Sequence, residues 1–99
     1  MNNTTQISVK NIVSNTETNV EGIKLYCVLD KSLKEKHIIT LEIENDMQLT
    51  SSFLNSSLGN IIDNYGFNIL KSNLKLKCSK AQYNRLSSYL YKYNDIYQK

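Results

Sequence analysis

Apolar and polar residues alternate along three short segments of the chain, as they do in a β-strand that buries one face. Ile7 and Val9 alternate with polar neighbours within residues 6–13, and the same pattern recurs in residues 37–44 and 74–78. Parallel strands that are covered on both faces carry apolar residues continuously. The alternation therefore predicts a sheet with one buried face and one face that is at least partly open.

Three longer segments carry apolar residues at helical spacing and predict helices over residues 21–34, 53–65 and 80–97. Gly22 falls on the inner stripe of the first helix, and we expect it to let that helix approach the sheet closely. Residues 67–73 fit either a connector or a short edge strand.

The predicted elements also indicate which side chains are buried. Ser79 is expected to cap the last helix. The inner stripe of this helix is predicted to be Tyr83, Leu86, Leu90, Tyr93 and Tyr97, which leaves Tyr89 and Tyr91 exposed. A single core is predicted to bury Leu41, Ile43, Leu58, Ile62, Leu76 and Leu86.

The order of these elements is β-α-β-α-β-α. Strands that are joined through helices are expected to be parallel neighbours with right-handed connections. We therefore predict a small α/β fold with a mainly parallel sheet of three or four strands and helices largely on one face. At 99 residues the chain is expected to form one domain, 1–99, with an ordered core from about 6 to 95.

Charge is distributed unevenly along the chain. Residues 1–70 carry five basic and eight acidic side chains, whereas residues 71–99 carry seven basic and one acidic. The basic C-terminal part, with tyrosines among its lysines, leaves nucleic-acid binding open as an alternative. Lysines on the solvated faces of a strand and a helix are the commoner explanation, so nucleic acid is not the partner we expect.

The sequence offers no constellation for catalysis or metal binding. His37 is the single histidine, and Cys27 and Cys78 lack the spacing of zinc ligands. No glycine-rich phosphate loop or nucleophile elbow occurs. We expect two reduced, buried thiols, no metal, no cofactor and no enzymatic activity. No apolar run reaches the ~20 residues of a membrane span, so a cytoplasmic protein without membrane contact is expected.

Hydroxyl residues stand directly before the second predicted helix. Thr50, Ser51 and Ser52 can accept hydrogen bonds from the unpaired N–H groups of its first turn. Capping is the simpler interpretation. The same residues lie on a strand-to-helix loop, where binding residues concentrate. The alternative is therefore a docking surface for a partner protein, comprising Thr50, Ser51, Ser52, Asn55 and Asp46.

The open face of the sheet is a second candidate surface. Glu42 and Glu44 share one face of their strand, and Lys75 and Lys77 share one face of theirs. Opposite charges on neighbouring strands predict cross-strand pairs that stabilise the sheet by roughly 0.2–1 kcal/mol each. The alternative, functional interpretation is that these four side chains form a docking surface.

Several short motifs occur in order along the chain: Glu21-Gly22-x-x-Leu25-Tyr26, Leu41-Glu42-Ile43, Leu49-Thr50-Ser51-Ser52-Phe53-Leu54-Asn55, Leu58-Gly59 and Tyr65-Gly66. This succession resembles the STAS-like domains of unknown function called DUF4325, which are distant relatives of anti-sigma-factor antagonists. The likeness covers residues 6–93, approximately.

The resemblance implies a mixed sheet with helices and a role in switching between protein partners. In better-understood relatives, a serine at the start of the corresponding helix is phosphorylated by a partner kinase, which releases the partner. By position, the phosphoacceptor candidates here are Ser52 and then Ser51. The partner implied by the resemblance is an ATPase of the histidine-kinase type.

These observations predict a non-enzymatic regulatory module that binds another protein. Two alternatives remain open: an inhibitor encoded by a phage or plasmid that binds a host protein, and a nucleic-acid-binding accessory protein. A homodimer through the open sheet face or the tyrosine-rich last helix also remains open.

Overall fold

A computed structural model describes residues 3–97, apart from the side chain of Tyr97, and it confirms the predicted α/β class. The elements, in chain order, are β1 (Thr4–Ser8), α1 (Val9–Ile12), α2 (Asn19–Lys34), β2 (Ile38–Glu42), α3 (Ser51–Leu54), a π-helical turn (Asn55–Gly59), α4 (Asn60–Tyr65), α5 (Phe67–Asn73), β3 (Leu74–Lys77) and α6 (Lys80–Tyr97).

The strands form a parallel sheet in the order β1-β2-β3. The sheet is thus parallel throughout the described residues, whereas the family resemblance implied a mixed one. Ile7, Leu41 and Leu76 are register partners on the face that the helices cover. The opposite face carries Gln6, Thr40 and Lys75, register partners that are all at least partly exposed. The sheet therefore has one open face, as the alternating pattern predicts.

The core lies between the sheet and the helices. Its buried apolar side chains are Ile7, Val9, Val13, Leu25, Leu29, Leu33, Ile39, Leu41, Ile43, Leu49, Phe53, Leu54, Leu58, Ile61, Ile62, Leu70 and Leu86. Five of the six predicted core residues belong to this set. Leu76 is only partly buried, because β3 is an edge strand and α5 and α6 leave a gap above it.

We call α3, the π-helical turn and α4 together the central helix. The widened turn lies where serines interrupt the helix: the Ser57 hydroxyl donates to the Phe53 carbonyl at 2.8 Å, and the Ser56 hydroxyl donates to the same carbonyl at 3.2 Å. Such hydroxyls compete with backbone N–H groups for the carbonyls. At its C-terminus the chain turns at Gly66, whose φ of 93° lies in the region that favours glycine.

Gly22 brings α2 against the central helix, and not against the sheet as predicted. A Cβ atom at this position would lie 2.6 Å from the Phe53 carbonyl oxygen and would overlap the Ser56 hydroxyl. The two helices therefore cross here at a distance that only a glycine allows. The first turn of α2 is capped by Thr18, whose side chain accepts from the Glu21 N–H at 3.4 Å.

Two other segments differ from their predicted structure. The first strand ends at Ser8, and the helical turn α1 follows because it buries Val9 and also packs Ile12 against the core. In an extended chain Ile12 would point to the opposite face. Residues 67–73 form helix α5, which places Phe67 and Leu70, three residues apart, on the core.

The last helix begins with a reciprocal cap, and this cap changes its buried face. The Ser79 hydroxyl accepts from the Gln82 N–H, and the Gln82 side chain accepts from the Ser79 N–H, both at 3.1 Å. The Gln82 amide also donates to the carbonyls of Glu44 and Met47 and is buried. Because Gln82 takes the buried position, the neighbouring Tyr83 side chain is 53% exposed. The prediction that Tyr83 belongs to the inner stripe is therefore wrong.

The remaining tyrosines and the cysteines give mixed outcomes. Tyr91 is exposed as predicted, whereas Tyr89 packs against the core and is only partly exposed. Tyr97, the last member of the predicted stripe, has a side chain outside the described residues. Both cysteines are free thiols, but Cys27 is exposed and Cys78 is half-buried, so the prediction of two buried thiols is wrong. Burial raises the pKa of the Cys78 thiol.

Candidate functional site

Thr50 is the cap of the central helix, and its hydroxyl both accepts and donates a hydrogen bond. It accepts from the Phe53 N–H at 3.2 Å and donates to the Glu17 carbonyl at 2.9 Å. The Thr16 hydroxyl in turn donates to the Gln48 carbonyl. These bonds fasten the loop before α2 to the loop before the central helix. Thr50 therefore fixes the position of the helix start.

Ser51 and Asn55, one helical turn apart, line a groove between the central helix and α6. The α6 side chains that complete it are Arg85, Ser88, Tyr89, Lys92, Tyr93 and Ile96. We call these eight residues the helix-start groove; its volume is about 390 Å³. The groove forms here because α6 carries its lining residues at helical spacing on one flank.

Arg85 holds the two walls of the groove together. Its Nε donates to the Leu49 carbonyl at 3.1 Å, and its Nη2 donates to the Ser51 hydroxyl at 3.3 Å. The remaining N–H groups of this guanidinium have no partner among the described residues. Lys92 lies two turns further along α6 and is exposed. Neither cation forms an ion pair within residues 3–97.

Two tyrosines form the floor of the groove. Tyr89 donates to the Asn55 side-chain oxygen at 2.5 Å, and Tyr93 donates to Asp63 at 2.9 Å. Both rings lie over Gly59 of the central helix, where a Cβ atom would stand 3.0 Å from the Tyr89 hydroxyl oxygen. The groove thus combines two cations, several hydroxyls and an aromatic floor, a composition that suits an anionic ligand with apolar groups.

The other predicted docking residues lie outside this groove. Ser52 is exposed beside it, with no hydrogen bond from its side chain to the described residues. Asp46 lines a separate, wider depression together with Lys10, Glu17 and Glu44. Of the five predicted residues, the structure brings only Ser51 and Asn55 together in the helix-start groove.

On the open sheet face, one of the expected cross-strand pairs forms. Lys77 lies 3.4 Å from Glu42, its register partner on β2. Glu44 instead pairs with Lys10 at 3.4 Å, because both residues follow the ends of their strands. Lys75 stands opposite Thr40 and forms no ion pair in the described part of the chain. Glu42, Glu44 and Lys77 nevertheless line one depression together, whereas Lys75 lies outside it.

No group of histidine, cysteine and acidic side chains converges on a metal-binding position within residues 3–97. The Nδ1 of His37 is hydrogen-bonded to the Thr5 hydroxyl at 2.5 Å, and its Nε2 lies 3.6 Å from the Glu35 carboxylate. No helix in the described part of the chain has the length and apolar content needed to cross a membrane.

Sequence reasoning missed the residues that give the groove its charge. Arg85 is the only arginine of the chain, and Lys92 and Tyr89 follow it at helical spacing. The uneven charge indicates a basic C-terminal part, but lysines on solvated faces are its commoner explanation. A solitary arginine on a tyrosine-rich helix is the signal that would have pointed to a binding surface, since arginine and tyrosine are enriched at interfaces.

The one-sided parallel sheet, with its helices crossing on the covered face, defines the class of a small α/β domain. The chain belongs to the family of STAS-like domains of unknown function, DUF4325, whose family model matches residues 21–82, more than half of the 99 residues. The predicted family is thereby confirmed. Ser51 and Asn55 lie inside the matched region, whereas Arg85 lies beyond it. No significant match was found among curated proteins or solved structures.

Proposed function

We propose that the chain is a non-enzymatic, regulatory module that binds an acidic segment of a partner protein in the helix-start groove. The observation that supports this most is the pair of Arg85 and Lys92, two cations that line one groove and form no ion pair within the described residues, while no carboxylate is among the residues that line it. Partner carboxylates would satisfy the free guanidinium N–H groups. The aromatic floor supplies contact area of the kind that carries binding energy.

Ser51 and Ser52 are the regulatory positions in this proposal. A phosphate on Ser51 would stand next to Arg85, whose Nη2 already lies 3.3 Å from the serine hydroxyl. It would add nearly two negative charges and occupy the cation that the partner uses. Ser52 is the freer hydroxyl of the two, because its side chain forms no hydrogen bond with the described residues, whereas the Ser51 hydroxyl accepts one from Arg85. The kinase that fits the family resemblance is a histidine-kinase-type ATPase.

Charge variants of the groove test the binding role. Partners are captured on the immobilised chain, identified by mass spectrometry and titrated calorimetrically against the wild type and variants. We expect Lys92→Glu and Arg85→Gln each to weaken binding about tenfold, which corresponds to roughly 1.4 kcal/mol. Lys31→Glu is the matched control, because Lys31 is exposed on α2 and forms no ion pair in the described residues. Equal affinity for Lys92→Glu and Lys31→Glu would refute the groove as the binding surface.

Serine variants separate docking from capping. Since Thr50 is the cap, Thr50→Ala should lower the free energy of unfolding by about 1 kcal/mol, and Ser52→Ala should leave it nearly unchanged. Ser51→Glu and Ser52→Glu should also melt near the wild type, because negative charge is favoured at a helix N-terminus. We expect both glutamate variants to bind the partner more weakly. Unchanged affinity in both would remove the helix start from the interface.

A further inference from the structure

A second groove lies on the opposite flank of α6, along the free edge of β3. Its apolar lining comes from three elements: Phe67 and Leu70 of α5, Leu74 and Leu76 of β3, and Tyr83, Leu90 and Tyr91 of α6. We call it the edge groove; its volume is about 360 Å³. Leu74 and Leu76 point into the covered side of the sheet, yet both remain partly exposed because no helix lies directly above them.

The backbone at this edge has free hydrogen-bonding groups. Successive residues of a parallel strand direct their N–H and C=O groups alternately to the two sides. Ile43 donates to the Lys77 carbonyl at 2.9 Å, so Lys77 and Lys75 face β2. Leu76 and Leu74 face the free edge. The Leu74 N–H is bonded to the Leu70 carbonyl, which leaves the N–H and C=O of Leu76 without a partner among the described residues.

Charge marks the other side of the same strand. Lys75 and Lys77 project onto the open sheet face, and only Lys77 has a carboxylate within ion-pair distance in the described residues. Lys71 and Lys75 also line the edge groove, and the Nζ of Lys71 lies 5.5 Å from the centre of the Tyr91 ring. The edge of β3 therefore combines apolar side chains on the covered face of the sheet, cations on the open face and along the groove, and an unpaired backbone between the two faces.

We propose that this edge binds an extended segment of a partner protein in which apolar residues alternate with aspartate or glutamate. Paired to β3, such a segment would extend the sheet by one strand, in the manner of β-strand addition. Its apolar residues would fill the edge groove beside Leu74 and Leu76, and its carboxylates would lie beside Lys75 and Lys77.

The charges of the strands argue against a second copy as the occupant. Two β3 strands paired with each other would place Lys75 and Lys77 of both copies side by side, and like charges on facing strands are destabilising. The other free edge, β1, offers Thr4, Gln6 and Ser8 on the open face, none of which is acidic. This surface is distinct from the helix-start groove, and the two proposals can fail independently.

The test uses the full chain and a defined probe, an acetylated and amidated octapeptide in which valine and glutamate alternate. We expect saturable binding, and the matching valine–lysine octapeptide should not bind. Amide hydrogen exchange by NMR locates the contact: the Leu76 amide should become protected on binding, whereas the Lys75 amide, which already faces β2, should change little. Absence of saturable binding at millimolar peptide, or binding without protection of Leu76, would overturn the proposal.

Two charge variants complete the test. Lys75→Glu should weaken the octapeptide about fivefold or more, because it replaces an attraction across strands with a repulsion. Lys31→Glu, on the exposed face of α2, should bind the octapeptide as the wild type does. A concentration-dependent dimer in sedimentation, with the Leu76 amide protected in the absence of peptide, would show that a second copy occupies this edge and would also overturn the proposal.

Discussion

Replacing Gly22 with alanine should destabilise the protein, although alanine is the better helix former. The helix propensity of alanine alone would raise the free energy of unfolding by up to about 1 kcal/mol. The added Cβ, however, would stand 2.6 Å from the Phe53 carbonyl oxygen, a backbone atom that cannot rotate away. Overpacking of this kind typically costs 1–3 kcal/mol. Because the contact is with a backbone atom, we expect a cost in the upper part of this range, about 2–3 kcal/mol, so that the net loss for Gly22→Ala is about 1–2 kcal/mol.

Urea denaturation and thermal melts measure this loss, and for a chain of this size we expect a fall in Tm of about 5–15 °C. Ser56→Ala serves as the matched control, since the Ser56 hydroxyl is the second atom that the new methyl group would overlap. The double variant should recover part of the loss but remain less stable than Ser56→Ala alone, because the Phe53 carbonyl is still in place. A Gly22→Ala variant as stable as the wild type would refute the close crossing of α2 and the central helix.

Two further predictions concern the core and the pH dependence of stability. Leu58→Ala should cost about 2–5 kcal/mol in urea denaturation, since Leu58 is fully buried, whereas the half-exposed Ile69 should tolerate alanine within about 0.5 kcal/mol. The hydrogen bond to Asp30 raises the pKa of Tyr65 from 10.0 to about 12. This hydrogen bond therefore stabilises the folded state below pH 10, and its contribution is lost as the pH rises towards 12. Tyr65→Phe should lose less stability than the wild type over that range, and an equal loss in both would contradict this link.

The same hydrogen bond acts in the opposite direction at low pH. The Tyr65 hydroxyl and then Lys34 lower the pKa of Asp30 below its ordinary value of 3.8. A carboxylate with a lowered pKa contributes stability above its unfolded-state pKa, and that stability is lost as pH falls through the folded-state value. The free energies of unfolding of the wild type and Tyr65→Phe should therefore converge as the pH falls below the folded-state pKa of Asp30.

Local patterns in the sequence determined most of the elements. Alternation predicted strands with one open face, and helical spacing predicted α2, the central helix and α6, because these signals depend on neighbours a few residues apart. The cap at Ser79 is local in the same sense. The hydroxyl residues Thr50, Ser51 and Ser52 also predict a helix start, and Thr50 is the residue that caps it.

Only the tertiary structure decided where these elements meet. The sequence could not show that Gln82 would be buried, because its partners are carbonyls at Glu44 and Met47, far along the chain. Nor could it show that Arg85 would lie beside Ser51. Both contacts depend on how α6 packs against the central helix, and that packing is set by the summed burial of many side chains.

The open edge at Leu76 was decided in the same way. The alternating pattern placed this leucine on the buried face, and that assignment of the face was correct. Its burial depends, however, on what lies above and beside β3, and neither α5 nor α6 covers it. A sequence determines which way a side chain points through its local backbone, whereas the burial of that side chain depends on elements that are distant in the chain and close only in the fold.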